Sequence, residues 1–198
     1  MITAITTLEE FNKTGFSLPI LAMDVGFSSE SKSCGVATVT HNRTAIESCK
    51  LRFAEAITHI IKFAESHSSF VLVLEAPLSS TFNEKGNPVE RGHFEKVPKD
   101  KLWYCQAGAS MSLAALHILR QLDANNSIQS KQVHLIEGFV VGDASGDHAE
   151  VAKKLLRSCL DVKEEEWLIP TGAKSISVLN LLGHTSEGCP VILRPQSV

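Results

Sequence analysis

Two apolar runs in this chain of 198 residues each end in a single acidic residue. The run 70–74 is followed by Glu75 in "FVLVLEAP", and the run 20–23 is followed by Asp24 in "ILAMDVG". Short runs of aliphatic residues predict strands that are buried on both faces, as in the middle of an α/β sheet. A carboxylate at the end of such a strand costs free energy unless it has a partner. Glu75 and Asp24 are therefore the first candidates for a functional site.

The pattern around these runs predicts a single α/β domain over residues 1–198, with a core at about 18–160. Strands are predicted at 19–25, 34–40, 43–51, 70–75 and 131–141, and helices at 53–64, at 102–122 and from 147 onward. Turn signals make the first three strands antiparallel, and the helix after the third lets the fourth run parallel to the first. We therefore expect a mixed five-stranded sheet with helices on both faces.

The remaining segments are predicted to be less regular. Residues 77–101 are polar, contain three prolines and show no period, which is typical of a long functional or mobile loop. Residues 161–198 are expected to form a C-terminal extension with a strand at 190–193.

Composition limits the class of protein. The formal net charge is −3, so nothing global indicates nucleic-acid binding and such contacts would need a local patch. Five scattered cysteines without a CxxC pair argue against a disulfide framework and a structural zinc site. The first residues are too polar for a signal peptide, and no apolar run approaches the roughly 20 residues of a membrane span. We expect a cytoplasmic protein without membrane contacts.

The two acids predict a metal site. The carboxyl ends of neighbouring parallel strands lie at one edge of the sheet, where α/β proteins place their sites. Adjacent carboxylates repel unless a cation neutralises them, and hard oxygen ligands favour Mg²⁺ or Mn²⁺. Asp147, at the start of the last helix, could supply a third carboxylate, and Asp143 and His148 lie close to it in sequence.

Simpler interpretations of these residues remain open. Asp147 and Glu150 have the spacing of a capping box, which would begin the helix and do nothing else. Asp24 precedes Val25 and Gly26 and could be a turn former. His148 could be a solvated residue of the first helical turn.

Two charged residues outside the acid pair are further candidates. Arg91, in the long polar segment, is expected to contact a substrate phosphate, since its planar guanidinium suits bidentate phosphate binding. Glu137 in "HLIEGF" repeats the pattern of a strand followed by an acid and is a possible additional site residue. The alternative is that Arg91 and Glu137 form a structural pair with each other.

The motifs "LAMDVG", "VLVLEAP" and "GDHAEVAKKLL" together resemble the RNase H-like superfamily, and most of all its RuvC-like branch and related predicted nucleases. The resemblance covers about residues 18–160 and implies strand order 3-2-1-4-5. It also implies that Asp24, Glu75 and Asp147 bind two Mg²⁺ or Mn²⁺ ions for phosphodiester hydrolysis. In that family the helical Asp is usually followed by Ala, whereas His148 follows it here.

We accordingly expect a metal-dependent nuclease that acts on a nucleic acid or a nucleotide. Asp24, Glu75 and Asp147 would be catalytic, with Asp143 or His148 as a proton shuttle or a fourth ligand. The alternative is a non-catalytic RNase H-like binding or scaffold module, which the acidic net charge favours.

Overall fold

The computed structural model describes residues 1–40, 45–95, 102–140, 146–170, 177–180 and 189–195, the segment 177–180 by its backbone alone. These residues form eleven strands and four α-helices. The strands are β1 (Ile2–Ala4), β2 (Ile20–Asp24), β3 (Cys34–Val39), β4 (Glu47–Leu51), β5 (Ser69–Glu75), β6 (Ser79–Phe82), β7 (Pro88–Val89), β8 (Gln132–Gly138), β9 (Trp167–Leu168), β10 (Ser177–Asn180) and β11 (Ile192–Leu193). The helices are α1 (Leu8–Glu10), α2 (Phe53–Ser66), α3 (Ala107–Asp123) and α4 (His148–Leu160).

A mixed sheet of eight strands forms the centre of the molecule. Its main path runs β4-β3-β2-β5-β8-β11-β9, and β1 pairs with the same edge of β8 as β11 does. Strands β2 and β3 are antiparallel, whereas β2, β5 and β8 are parallel to one another. The predicted mixed α/β sheet is confirmed, and so is the predicted strand at 190–193. The predicted number of five strands is wrong, because β1 and β9 are too short to show a period and β11 was expected only as part of the C-terminal extension.

Helices cover both faces of this sheet, as predicted. Successive strand residues point to opposite faces, and the buried side chains accordingly form two main clusters. One cluster joins α2 and α3 to the sheet through residues that include Leu21, Met23, Leu72, Leu74, Ile60 and Ile118. The other joins α4 to the opposite face through residues that include Ile20, Ala22, Val71, Val73, Leu155 and Cys159. The two central strands are therefore apolar on both sides, which explains their unbroken hydrophobic runs.

The polar segment after β5 is not a structureless loop, which corrects the expectation for 77–101 over its described part. Strands β6 and β7 form a hairpin, and β10 pairs with β6 to complete a second, three-stranded sheet. Gly86 turns the hairpin at a positive φ of 75°, a conformation that glycine adopts at little cost. The turn of the hairpin is exposed and the buried residues of β6 are Ser79 and Thr81, so the sequence lacks the apolar alternation that would have predicted it. The rest of this segment, 96–101, lies outside the described residues.

The helices of the described part are all too short or too polar to cross a bilayer.

Candidate functional site

Asp24 and Glu75 lie side by side at one edge of the sheet. They are the last residues of β2 and β5 and pair with each other in the parallel register. Alternation along both strands directs the two carboxylates to the face covered by α4. Both residues are only 6% exposed, so their charges are largely removed from water. Their predicted position on adjacent strands is confirmed.

The first residue of α4 reaches the acid pair. His148 Nδ1 lies 2.7 Å from Asp24 Oδ2, while 39% of the histidine side chain remains exposed. Glu75 Oε1 accepts a hydrogen bond of 3.3 Å from the backbone N–H of Val140, just beyond the end of β8. The structure therefore brings Asp24, Glu75 and His148 together, with the imidazole at the boundary with solvent.

Two glycines let α4 and the strands approach this closely. Gly35 lies opposite Asp24 on β3, and a Cβ there would stand 1.7 Å from the carbonyl oxygen of His148. A Cβ on Gly138, at the end of β8, would stand 2.8 Å from Leu155 of α4. These glycines were not among the predicted site residues, although a glycine inside a strand often marks a close approach by another backbone.

Asp147 has partners on the far side of the helix start. As the N-cap of α4 it accepts a 3.0 Å hydrogen bond from the N–H of Ala149, and it lies 3.3 Å from Lys50 Nζ on β4. Desolvation acts to raise the pKa of Asp147, but the Ala149 N–H and the Lys50 ammonium outweigh it and lower the pKa. Asp147 therefore caps α4 through its side chain. Lys50 was missed because β4 is distant from α4 in sequence.

Arg91 is buried in an ion-pair cluster, so the expectation that it contacts a substrate phosphate is wrong for this structure. Its side chain has no exposed surface, and its guanidinium nitrogens lie 2.7 Å from both Glu95 and Glu137. Burial alone would lower the pKa of Arg91, but Glu137 and Glu95 outweigh it and raise the pKa, so the guanidinium keeps its charge. The alternative, a structural pair with Glu137, is confirmed.

Glu137 belongs to this cluster and not to the acid pair. Its partner across the register is Leu74, which points to the face of α2 and α3, opposite to Asp24 and Glu75. Glu137 Oε2 also accepts a 2.8 Å hydrogen bond from the backbone N–H of Leu78. Glu137 thus fixes the backbone just after Glu75 by a hydrogen bond on the opposite face of the sheet.

The acid pair has the donor chemistry of a magnesium or manganese site. Mg²⁺ is commonly held by one or two carboxylates and keeps several of its waters. Asp24 and Glu75 could supply those carboxylates at the sheet edge. Within the described ranges, no group of three or more His, Cys, Asp and Glu side chains is close enough to hold a metal ion. Asp143, the remaining predicted candidate, lies outside the described residues.

In comparisons with known proteins, the chain matches no family model, no curated protein and no solved structure.

Proposed function

We propose that this chain is an RNase H-like, metal-dependent nuclease that hydrolyses phosphodiester bonds at the Asp24–Glu75 edge of the sheet. The observation that carries the proposal is the register of β2 and β5, which pairs two buried acids on one face beneath the start of α4. Two carboxylates placed together in a low-dielectric setting are costly unless a cation neutralises them. The proposal therefore assigns the two acids to the binding of a divalent cation.

Each residue of the site has a distinct role in this proposal. Asp24 and Glu75 would hold Mg²⁺ or Mn²⁺, and the ion would supply stabilisation of negative charge on the phosphoryl oxygens. Asp24 also fixes the orientation of His148 through Nδ1. With the Nδ1 proton donated to Asp24, Nε2 carries the lone pair and accepts a proton from the attacking water.

In this proposal Asp147 would supply the third carboxylate in exchange for its ion pair with Lys50. A second divalent ion near Asp147 would take over the role of the Lys50 ammonium.

Thermal unfolding in increasing Mn²⁺ tests the metal site without any substrate. An ion that binds the folded state alone stabilises it by about 2.7 kcal/mol at 100 times Kd. We expect the wild-type Tm to rise with Mn²⁺ and the rise to be lost in Asp24→Asn and Glu75→Gln. The matched control is Asp123→Asn, at the exposed end of α3, which should keep the full rise.

Hydrolysis is tested on single-stranded, duplex and branched substrates with Mn²⁺. Asp24→Asn and Glu75→Gln should reduce cleavage to background. His148→Gln should reduce it by about 100-fold or more, because the proton acceptor is lost while the ion still binds. Wild-type protein that binds Mn²⁺ and cleaves none of these substrates would contradict the nuclease.

The second candidate is a non-catalytic RNase H-like binding or scaffold module. The specific observation in its favour is that Asp147 already caps α4 and pairs with Lys50. A wild-type Tm that does not respond to Mn²⁺, or an equal response in Asp24→Asn, would favour this candidate.

A further inference from the structure

An open pocket of about 640 Å³ lies between the segment after β2 and the start of α2, and it has no role in the proposed hydrolysis. It is lined by Phe27, Ser28, Ser29, Arg52, Phe53 and Ala54. Phe27 is three residues beyond Asp24, so the pocket begins at the same edge of the sheet where β2 ends. Its other wall is the start of α2, which packs on the face opposite to α4. Its volume falls in the range of pockets that hold a small organic ligand.

Aromatic rings form the apolar part of this pocket. Phe27 is 58% exposed, a large apolar surface to leave in water. Its ring meets Phe53 edge to face, with centroids 5.2 Å apart at an interplanar angle of 80°. Phe53 in turn lies 6.0 Å from the His117 ring of α3. The edge-to-face contact with Phe53 supports Phe27 while more than half of the surface of Phe27 stays exposed.

The loop that carries Phe27 is held in place on both sides of the ring. Cys34 donates a hydrogen bond from Sγ to the carbonyl oxygen of Gly26 at 3.0 Å. Burial raises the pKa of Cys34 to about 11, so the thiol keeps the proton that this bond requires. Ser28 Oγ accepts from the backbone N–H groups of Glu30 and Ser31 at 3.3 and 3.2 Å. The exposed ring therefore needs little ordering when a ligand binds.

The charge of the lining indicates what kind of ligand fits. Arg52 is exposed and is the one charged residue among the six lining residues, which otherwise comprise two phenylalanines, two serines and an alanine. A ligand with an aromatic face and a negative group would use both the rings and the guanidinium. Arg52 suits a phosphate because its planar fork of donors matches phosphate oxygens.

We propose that this pocket binds one unpaired nucleotide of a single-stranded nucleic acid, with the base stacked on Phe27 and its phosphate on Arg52. The inference rests on the proposed nuclease function, because a nuclease must bind the strand that it cleaves. Paired bases in a duplex are stacked on their neighbours and cannot offer a free face to Phe27. The stacking site therefore selects single strands or unpaired ends.

Fluorescence anisotropy with a labelled oligothymidylate of about 12 nucleotides tests the site in EDTA, where no hydrolysis occurs. We expect Phe27→Ala to weaken binding by about 5- to 150-fold, the usual effect of losing one base stack. Phe27→Trp should retain or strengthen binding. Arg52→Gln should reduce the slope of log affinity against log salt by about 0.7, the value for one phosphate contact on a single strand.

The matched control is Phe16→Ala, another exposed phenylalanine whose ring also meets a second phenylalanine edge to face. It should bind the strand as the wild type does. Because binding is measured in EDTA, a failure of the metal site leaves this result readable by itself. Equal affinity of Phe27→Ala and wild type, or a wild type that prefers the duplex of the same sequence, would overturn the inference.

Discussion

Arg91 carries a full positive charge with no exposed surface, between Glu95 and Glu137. Taking such charges out of water costs several kcal/mol per ion, and their mutual attraction offsets this only with good geometry. Here the guanidinium also donates to Ser79 Oγ at 3.0 Å, and Glu95 accepts from the backbone N–H of Arg91. The cluster therefore depends on every member being present.

Removing Arg91 should destabilise the fold strongly. Arg91→Met leaves Glu95 and Glu137 buried without their cation, a change that typically costs about 3–5 kcal/mol. Urea unfolding measures it, with Lys85→Met at the exposed tip of the same hairpin as the control. A loss no larger than that of Lys85→Met would show that Arg91 has no structural role.

His134 makes the stability depend on pH near neutrality. It is 8% exposed, and burial lowers its pKa from the ordinary 6.5, with Glu10 opposing the change. The unfolded chain therefore takes up this proton at a higher pH than the folded protein does. Stability is complete above about pH 7 and falls as the pH drops through 6.5 toward the folded pKa.

His134→Gln should accordingly lose less stability than the wild type between pH 7.5 and 5.5, values chosen to span about one unit on either side of the ordinary histidine pKa. Urea midpoints at each pH give the comparison. Data at about pH 8, where the histidine is neutral in both states, show the effect of the substitution itself. Parallel pH profiles for the two proteins would contradict the role of His134.

At the scale of elements, the contact between α4 and the sheet depends on Gly35. The backbone of His148 occupies the space of a Cβ on β3, so the helix start and the strand touch directly. This contact places the imidazole against Asp24 and Asp147 against Lys50.

Gly35→Ala should therefore weaken both folding and Mn²⁺ binding, because α4 must move away from the acid pair. Gly86→Ala is the matched control, because the added Cβ would meet open space at a site far from α4. The positive φ of Gly86 should lower the free energy of unfolding of this variant by about 1–2 kcal/mol without changing Mn²⁺ binding. Thermal unfolding with and without Mn²⁺ separates the two effects. An unchanged Mn²⁺ response in Gly35→Ala would show that the helix start does not shape the site.

The elements also show what a sequence can and cannot predict. α2, α4 and the central strands have long apolar patterns, and each lies where the pattern places it. Strands β9 and β11 have two residues each, and their pairing depends on neighbours distant along the chain. The Asp24–Glu75 pair was predictable because parallel strands align their ends, whereas the burial of Arg91 depends on how a hairpin folds over β8.

At the scale of the whole molecule, the Arg91 cluster joins the two sheets. Arg91 follows β7 of the small sheet, and Glu137 belongs to β8 of the large one. The chain has two tryptophans, one beside each sheet. Trp103 contacts Phe82 and Val89 of the hairpin, and Trp167 is a strand residue of the large sheet.

Single-tryptophan variants should report one shared unfolding transition. In Trp103→Phe the remaining tryptophan fluorescence comes from the large sheet, and in Trp167→Phe it comes from the small one. We expect the two variants to have coincident urea midpoints, as for a cooperative domain. Adding Arg91→Met should separate them, with the Trp103 signal changing first. Separate midpoints without that substitution would show that the sheets unfold independently.

The shared edge of β8 has a consequence for how the chain folds during synthesis. β1 covers the first half of that edge, and β11 covers the second half, where Glu137 and Phe139 donate to Val191 and Leu193. A ribosome adds about 5–20 residues per second, so several seconds separate the emergence of β8 from that of β11. During that interval the nascent sheet has its early strands in place while the stretch of β8 beside the acid pair still lacks its neighbour. The outer edge of β8, one strand away from Glu75, is thus the last part of the large sheet to be completed.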